Sequence, residues 1–213
     1  MTDALREACN RIFEYPPSPP PRRHGPKGYA ECDSYKPWLR DEFAFRCAYC
    51  LWRENWEADG HHSFGVEHIV PRSASAELEL EYANLLYACN TCNSSRRDVS
   101  LPVDLAKSNL VQHLELLEDG QVLARSEAGE DIVDICRLNR PILVLARRRI
   151  LNLVRVLQTS THPDAVRAIK ELLAFPPDLP NLKALRPPKG NSRPEGISQS
   201  YFELRQTDAL PEF

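Results

Sequence analysis

The sequence has no run of eighteen apolar residues, so nothing in it reads as a membrane-spanning helix. Its opening, Met1-Thr-Asp-Ala-Leu-Arg-Glu-Ala, lacks the basic-then-apolar order of a secretory signal. Positive charge is also in short supply: 27 Lys and Arg stand against 30 Asp and Glu, a formal net charge of −3. That balance excludes a protein held on a polyanion by bulk charge alone and leaves local patches as the electrostatic route. Lysine is sparse, 6 against 21 arginines, and guanidinium suits bidentate contact with phosphate. There is no internal repeat. What remains is 213 residues with 42% apolar content, enough for one ordinary core or one core with a small appendage.

Cysteine is where the sequence becomes specific. Seven cysteines, an odd number, do not make a disulfide framework, and they point to a reducing, cytoplasmic setting. Four of them fall as Cys47-x-x-Cys50 and Cys89-x-x-Cys92, two pairs about forty residues apart. Four thiolates complete a tetrahedral site with no open position, so the implied Zn2+ is structural. Apparent binding energies of roughly 10–16 kcal/mol make the local fold conditional on the metal. Cys9, Cys32 and Cys136 are left over and read as idle or buried thiols.

Along the chain, residues 1–14 suit a short amphipathic helix, and Tyr15 to Gly28 carries six prolines in fourteen residues. That composition predicts extended linker, although Arg22, Arg23 and Lys27 are also placed to lie along a nucleic-acid backbone. Asp33 or Ser34 near a cap and Pro37 in the first turn predict a helix running into the first cysteine pair. Trp52 and Trp56 are expected to pack against the metal-bound core. Phe64 to Val70 reads as a strand ended by Pro71, followed by a polar loop to Glu81. Tyr82 to Ala88 returns as strand or turn, and Asn93 to Val99 begins a short helix that cannot pass Pro102. Further on, Leu110–Leu117 and Val122–Arg125 flank Asp119-Gly120, a hairpin signal. Pro141 to Leu157 predicts a helix with Leu143, Ala146, Ile150, Leu153 and Leu157 on one face, and a second helix starts near Thr161. From Pro176 onward the sequence reads as a tail or draped arm.

The segment between the cysteine pairs carries Glu67-His68-Ile-Val-Pro71, Asn84-Leu-Leu and, after the second pair, Asn93. Imidazole titrates near neutrality and suits a general base, so His68 beside Glu67 is a catalytic candidate. On a regular strand adjacent side chains point to opposite faces, so both can act together only if the strand bends or ends there. With the thiols, this set resembles the zinc-containing branch of the HNH endonuclease family over about fifty residues. The resemblance implies an α+β fold: a ββα-metal core stapled by the four-cysteine zinc site, with a C-terminal hairpin-plus-helices subdomain and proline-rich termini. The corresponding divisions are 1–32, 33–105, 106–175 and 176–213.

The resemblance also implies roles. His68 would activate water. Glu67 and Asn93 would hold a catalytic Mg2+ or Mn2+, and Asn84 would fix the loop that orients His68. Glu67 stands where the family usually has Asp or His and is one methylene longer; Asn93 is a common alternative to His. Arg72, Arg96 and Arg97 lie where such a unit faces a duplex. Residues 137–163 hold six arginines, Arg148 and Arg155 among them, and no acid. Part of this run is a solvated helix face, and it is also the best second DNA-contact surface, giving affinity without sequence preference.

The function that follows is metal-dependent hydrolysis of DNA phosphodiester bonds. Small proteins of this type occur in phage-defence and restriction systems, in some cases with an ATPase partner. The alternatives are a zinc-ordered binding module without cleavage and a nuclease acting on RNA.

Overall fold

The computed structural model describes residues 1–16, 22–105 and 107–211. The centre of the proline-rich stretch expected as linker, 17–21, lies outside the described residues. Helix α1 (Asp3–Asn10) is capped by the Thr2 hydroxyl, which accepts Leu5 N, and buries Leu5, Ala8 and Cys9. After the strap at 22–31, a 3-10 turn (Cys32–Tyr35) leads into α2 (Lys36–Glu42), with Pro37 in its first turn. Pro37 costs that helix nothing, because the missing N–H is one that no carbonyl would have received. Strand β1 (Phe64–His68) pairs antiparallel with β2 (Leu85–Cys89), His68 opposite Leu85 and Phe64 opposite Cys89.

Helix α3 (Asn90–Arg96) follows β2 without a loop, because the Cys89 side chain accepts Cys92 N and acts as the cap. Asn93 therefore sits inside the helix and not at its head. Two antiparallel strands and this helix make a ββα unit.

The second half opens with a hairpin of β3 (Leu114–Leu116) and β4 (Val122–Ala124). The residue expected to turn it, Gly120, has φ +88, and a Cβ there would come within 2.5 Å of the Val144 carbonyl. Only glycine fits both conditions. Three helices follow: α4 (Glu127–Ile135), α5 (Pro141–Thr159) and α6 (Ala165–Leu173).

Sequence reading missed α4, whose signals are a Ser126 cap on Gly129 N and only one fully buried apolar side chain, Ile132. On α5 the expected face packs inward at Leu143, Ile150 and Leu157 but not at Leu153. Leu143 and Val154 are buried, Leu153 is exposed, and between the buried pair Arg147 turns inward. Arg147 donates to the carbonyls of Leu138 (2.9 Å) and Cys50 (3.3 Å), so a fully buried arginine ties α5 to the first cysteine knuckle. Trp52 and Trp56 meet edge to face at 4.8 Å, and Trp56 donates to the Leu172 carbonyl at the end of α6.

The stretch after Pro176 is ordered and packed. It contains a last helix, α7 (Tyr201–Gln206), and Tyr201 packs on Phe45 and Phe175. Buried apolar side chains from residues 5 through 182 belong to one cluster. Among the described residues no helix is long and apolar enough to cross a membrane.

Candidate active site and metal centre

Cys47, Cys50, Cys89 and Cys92 converge from the first knuckle, the end of β2 and the first turn of α3. Their sulfurs all lie within 4.8 Å of one another, and all four residues are buried. Cys50 and Cys89 sulfurs are 3.8 Å apart. No other cluster of three or more His, Cys, Asp or Glu side chains with that geometry occurs among the described residues. The Arg140 guanidinium stands 3.6 Å from Cys92 Sγ, a cation against a group that binds metal as thiolate. The donor set fits a closed, structural metal site.

A polar cavity of about 460 Å³ opens beside β1 and α3, and Glu67, His68 and Asn93 all line it. The alternation problem is resolved because β1 ends at His68. Glu67 curls forward along the chain, its Oε1 accepting His68 N at 3.0 Å. That same Oε1 is paired with Arg96, while Oε2 has no partner among the described residues. Burial raises the Glu67 pKa, and Arg96 opposes that shift without cancelling it. Asn93 donates its Nδ2 to the Val66 carbonyl (3.2 Å), which leaves Oδ1 unclaimed among the described residues.

His68 has its Nε2 at 3.0 Å from the Glu79 carbonyl. A carbonyl only accepts, so this contact places the proton on Nε2 and leaves the Nδ1 lone pair available. Burial lowers the His68 pKa, which keeps the imidazole neutral near pH 7. Asn84 ties the two ends of the intervening loop: its Oδ1 accepts Val70 N (2.8 Å), and its Nδ2 donates to the Val70 and Leu78 carbonyls (both 3.1 Å). Leu78 precedes Glu79, so the amide of Asn84 bears on the carbonyl that holds His68.

The expected phosphate contacts divide. Arg72 and Arg97 are exposed and line the cavity, Arg72 in an ion pair with Glu79 at 3.2 Å. Arg148 and Arg155 are exposed on α5, Arg155 paired with Glu118 at 3.0 Å. Arg96 does not fit its expected role: it is 0% exposed and cannot reach a phosphate. Its guanidinium binds Glu67 Oε1 and the carbonyls of His68 and Ile69, the last at 2.7 Å. It lies one turn after Asn93 on the same helix face, and that spacing was the available signal of an inward role.

Two more neighbours went unread in the sequence. The Glu79 carbonyl, being backbone, leaves no trace in residue type. Cys32, taken as idle, places its Sγ 3.5 Å from His68 Nε2 and donates to the Glu79 carbonyl.

The chain thus combines a ββα unit, four clustered thiols that could hold a metal, and a histidine that ends the first strand of the unit. Residues 47–98 match the family model described as HNH endonuclease, so the chain carries an HNH domain, and the match points to a nuclease acting on nucleic acid. No curated protein and no solved structure matches the chain.

Proposed function

We propose that the chain is a metal-dependent endonuclease that hydrolyses DNA phosphodiester bonds, leaving 3′-hydroxyl and 5′-phosphate ends. The observation that carries this reading is a neutral imidazole with a free Nδ1 at the wall of a cavity that Glu67 and Asn93 also line. His68 Nδ1 takes the proton from the attacking water. The Glu79 carbonyl at Nε2 fixes the ring and favours the imidazolium that forms. Arg72 and Arg97 at the rim hold the non-reacting phosphates.

Glu67 Oε2 and Asn93 Oδ1, neither bonded among the described residues, would be the oxygen donors for one Mg2+ or Mn2+. When bound, that ion supplies charge neutralisation at the phosphate and help for the leaving 3′ oxygen. The four-thiol site would take Zn2+: Zn–S bonds of about 2.3 Å in a tetrahedron put sulfurs about 3.8 Å apart, the separation of Cys50 and Cys89. All seven cysteines are unpaired in the structure, which suits a reducing cytoplasm. Net charge of −3 favours delivery by a partner, such as the ATPase of a defence or restriction system.

The test is plasmid cleavage by the purified, zinc-loaded protein with Mg2+ or Mn2+. Activity should fall by about 100-fold or more in His68→Ala. An active preparation that His68→Ala leaves unchanged removes His68 from this role. Retained, partner-free cleavage at cellular salt removes the need for delivery.

A further inference from the structure

The cavity at His68 is itself poorly suited to hold a polyanion. Five carboxylates line it (Glu31, Asp33, Glu67, Glu79 and Asp98) against two arginines, Arg72 and Arg97. This charge suits a divalent cation beside the scissile phosphate, and Arg72 and Arg97 suffice for its immediate neighbours, so the strand that runs on needs a further grip beside the cavity. On the far side of Leu80, which lines both, a second cleft of about 470 Å³ has the opposite charge balance. Arg22, Lys27, Lys189 and Arg193 line it against one carboxylate, Glu81.

This cleft is built by two segments far apart in sequence. The strap after the first proline run pairs with the C-terminal stretch: Lys27 N donates to the Gly190 carbonyl (2.9 Å), Lys189 N to the Lys27 carbonyl (3.0 Å), and Ser192 N to the Gly25 carbonyl (2.8 Å). The approach is close enough that a Cβ on Gly28, whose φ is +87, would lie 2.6 Å from Lys189 Cγ. The pairing sets Lys27 beside Lys189, and neither side chain has an ion pair among the described residues. Arg193 donates to the Arg22 carbonyl, which brings a second like-charged pair together. Arg22 donates through Nη2 to the Leu85 carbonyl, and its buried Nη1 has no hydrogen-bond partner among the described residues.

Glu42, the nearest buried carboxylate, is already occupied by Arg23 N, His24 N and the Tyr82 hydroxyl. Like charges placed side by side cost stability unless an anion relieves them.

We propose that this cleft binds the phosphate backbone of the DNA strand as it runs on from the scissile bond, so that the strap and the C-terminal stretch form a substrate-binding element of the nuclease. The inference rests on the DNA-cleaving reading above. Its contacts are with phosphates, so it contributes affinity and salt dependence without base preference.

The experiment uses the full-length, zinc-loaded protein and a fluorescent DNA duplex, with binding read by anisotropy from 50 to 200 mM salt, no Mg2+ or Mn2+ added and no chelator present, so that no cleavage intervenes and the zinc stays in place. Lys27→Glu with Lys189→Glu, both exposed, should weaken binding about tenfold or more at the low-salt end and reduce the log–log salt slope by about 2. Arg6→Glu with Lys183→Glu, an exposed pair outside the cleft, makes the same charge change and should leave the slope near that of the unaltered protein. Circular dichroism checks that each variant is folded.

An unchanged affinity in the cleft variant, an equal loss in both variants, or no DNA binding by the unaltered protein overturns the proposal. An unaltered protein that binds through Lys27 and Lys189 yet cuts no plasmid with Mg2+ or Mn2+ sinks the nuclease reading and leaves the cleft as a DNA-binding element. Cleavage with full affinity in the cleft variant does the reverse.

Discussion

Arg96 reaches from the last turn of α3 to Glu67 on β1, both side chains buried, and ties the strand that ends in His68 to the helix that carries Asn93. A buried ion pair contributes little net stability over apolar replacements, but removing one partner strands the other. Arg96→Met should therefore cost about 3–5 kcal/mol in urea denaturation, and Glu67→Met in the same chain should recover most of it. Neither variant should cleave DNA. A single variant as stable as the parent contradicts the pairing.

Asn84 acts at a distance through the loop it closes. Asn84→Ala loses three hydrogen bonds around Val70 and Leu78 and should cost about 1–3 kcal/mol. If the loop positions His68, kcat falls while KM for DNA stays within about twofold. A purely structural role would move the melting curve and leave kcat intact at low temperature.

The metal centre makes two claims of different size. Complete chelation should abolish cooperative unfolding, and metal analysis should return one zinc per folded chain. Arg140→Ala removes the cation beside Cys92 Sγ and leaves the thiols in place. Zinc affinity should drop by roughly 10-fold, measured by competition with a chromophoric chelator, with the circular dichroism spectrum of the loaded protein unchanged.

Cys32 stands against His68, so a bulky adduct on its sulfur should disable cleavage. Burial pushes the Cys32 thiol above its ordinary range, leaving little thiolate at neutral pH. Inactivation by iodoacetamide should accordingly be slow at pH 7 and accelerate as pH rises toward that raised pKa. Cys32→Ser should keep activity and lose the sensitivity; inactivation that persists in this variant assigns the effect to another cysteine.

The thiol spacing, the antiparallel pair, the hairpin at Gly120 and the long helix at Pro141 were legible because each rests on local chemistry: ligand geometry, alternation, a required positive φ, a proline at a helix start. Arg96 and Arg147 were not. An arginine in a sequence reads as surface, and only the fold shows that carbonyls and a carboxylate are waiting for it in the interior. On α5 the apolar pattern correctly marks Leu143, Ile150 and Leu157 as inward, and misses only that Arg147 and Val154 share that face while Leu153 does not. The stretch after Pro176 looked like a tail because its contacts are with residues near the other end of the chain, which periodicity cannot reveal.

Those distant contacts bear on how this protein can be handled. Asp41 on α2 receives Arg23 and His24 through Oδ2 and Tyr201 N through Oδ1, all within 2.8 Å. A carboxylate in the middle of the molecule is thus the knot where both ends are fastened. Trimming back past Tyr201 would strip one partner from that buried carboxylate, and trimming past His24 would strip its cation, so a minimal fragment cut from either side leaves the knot half undone. Fusion partners are better spliced into exposed turns such as the one after α5 than grafted in place of either end.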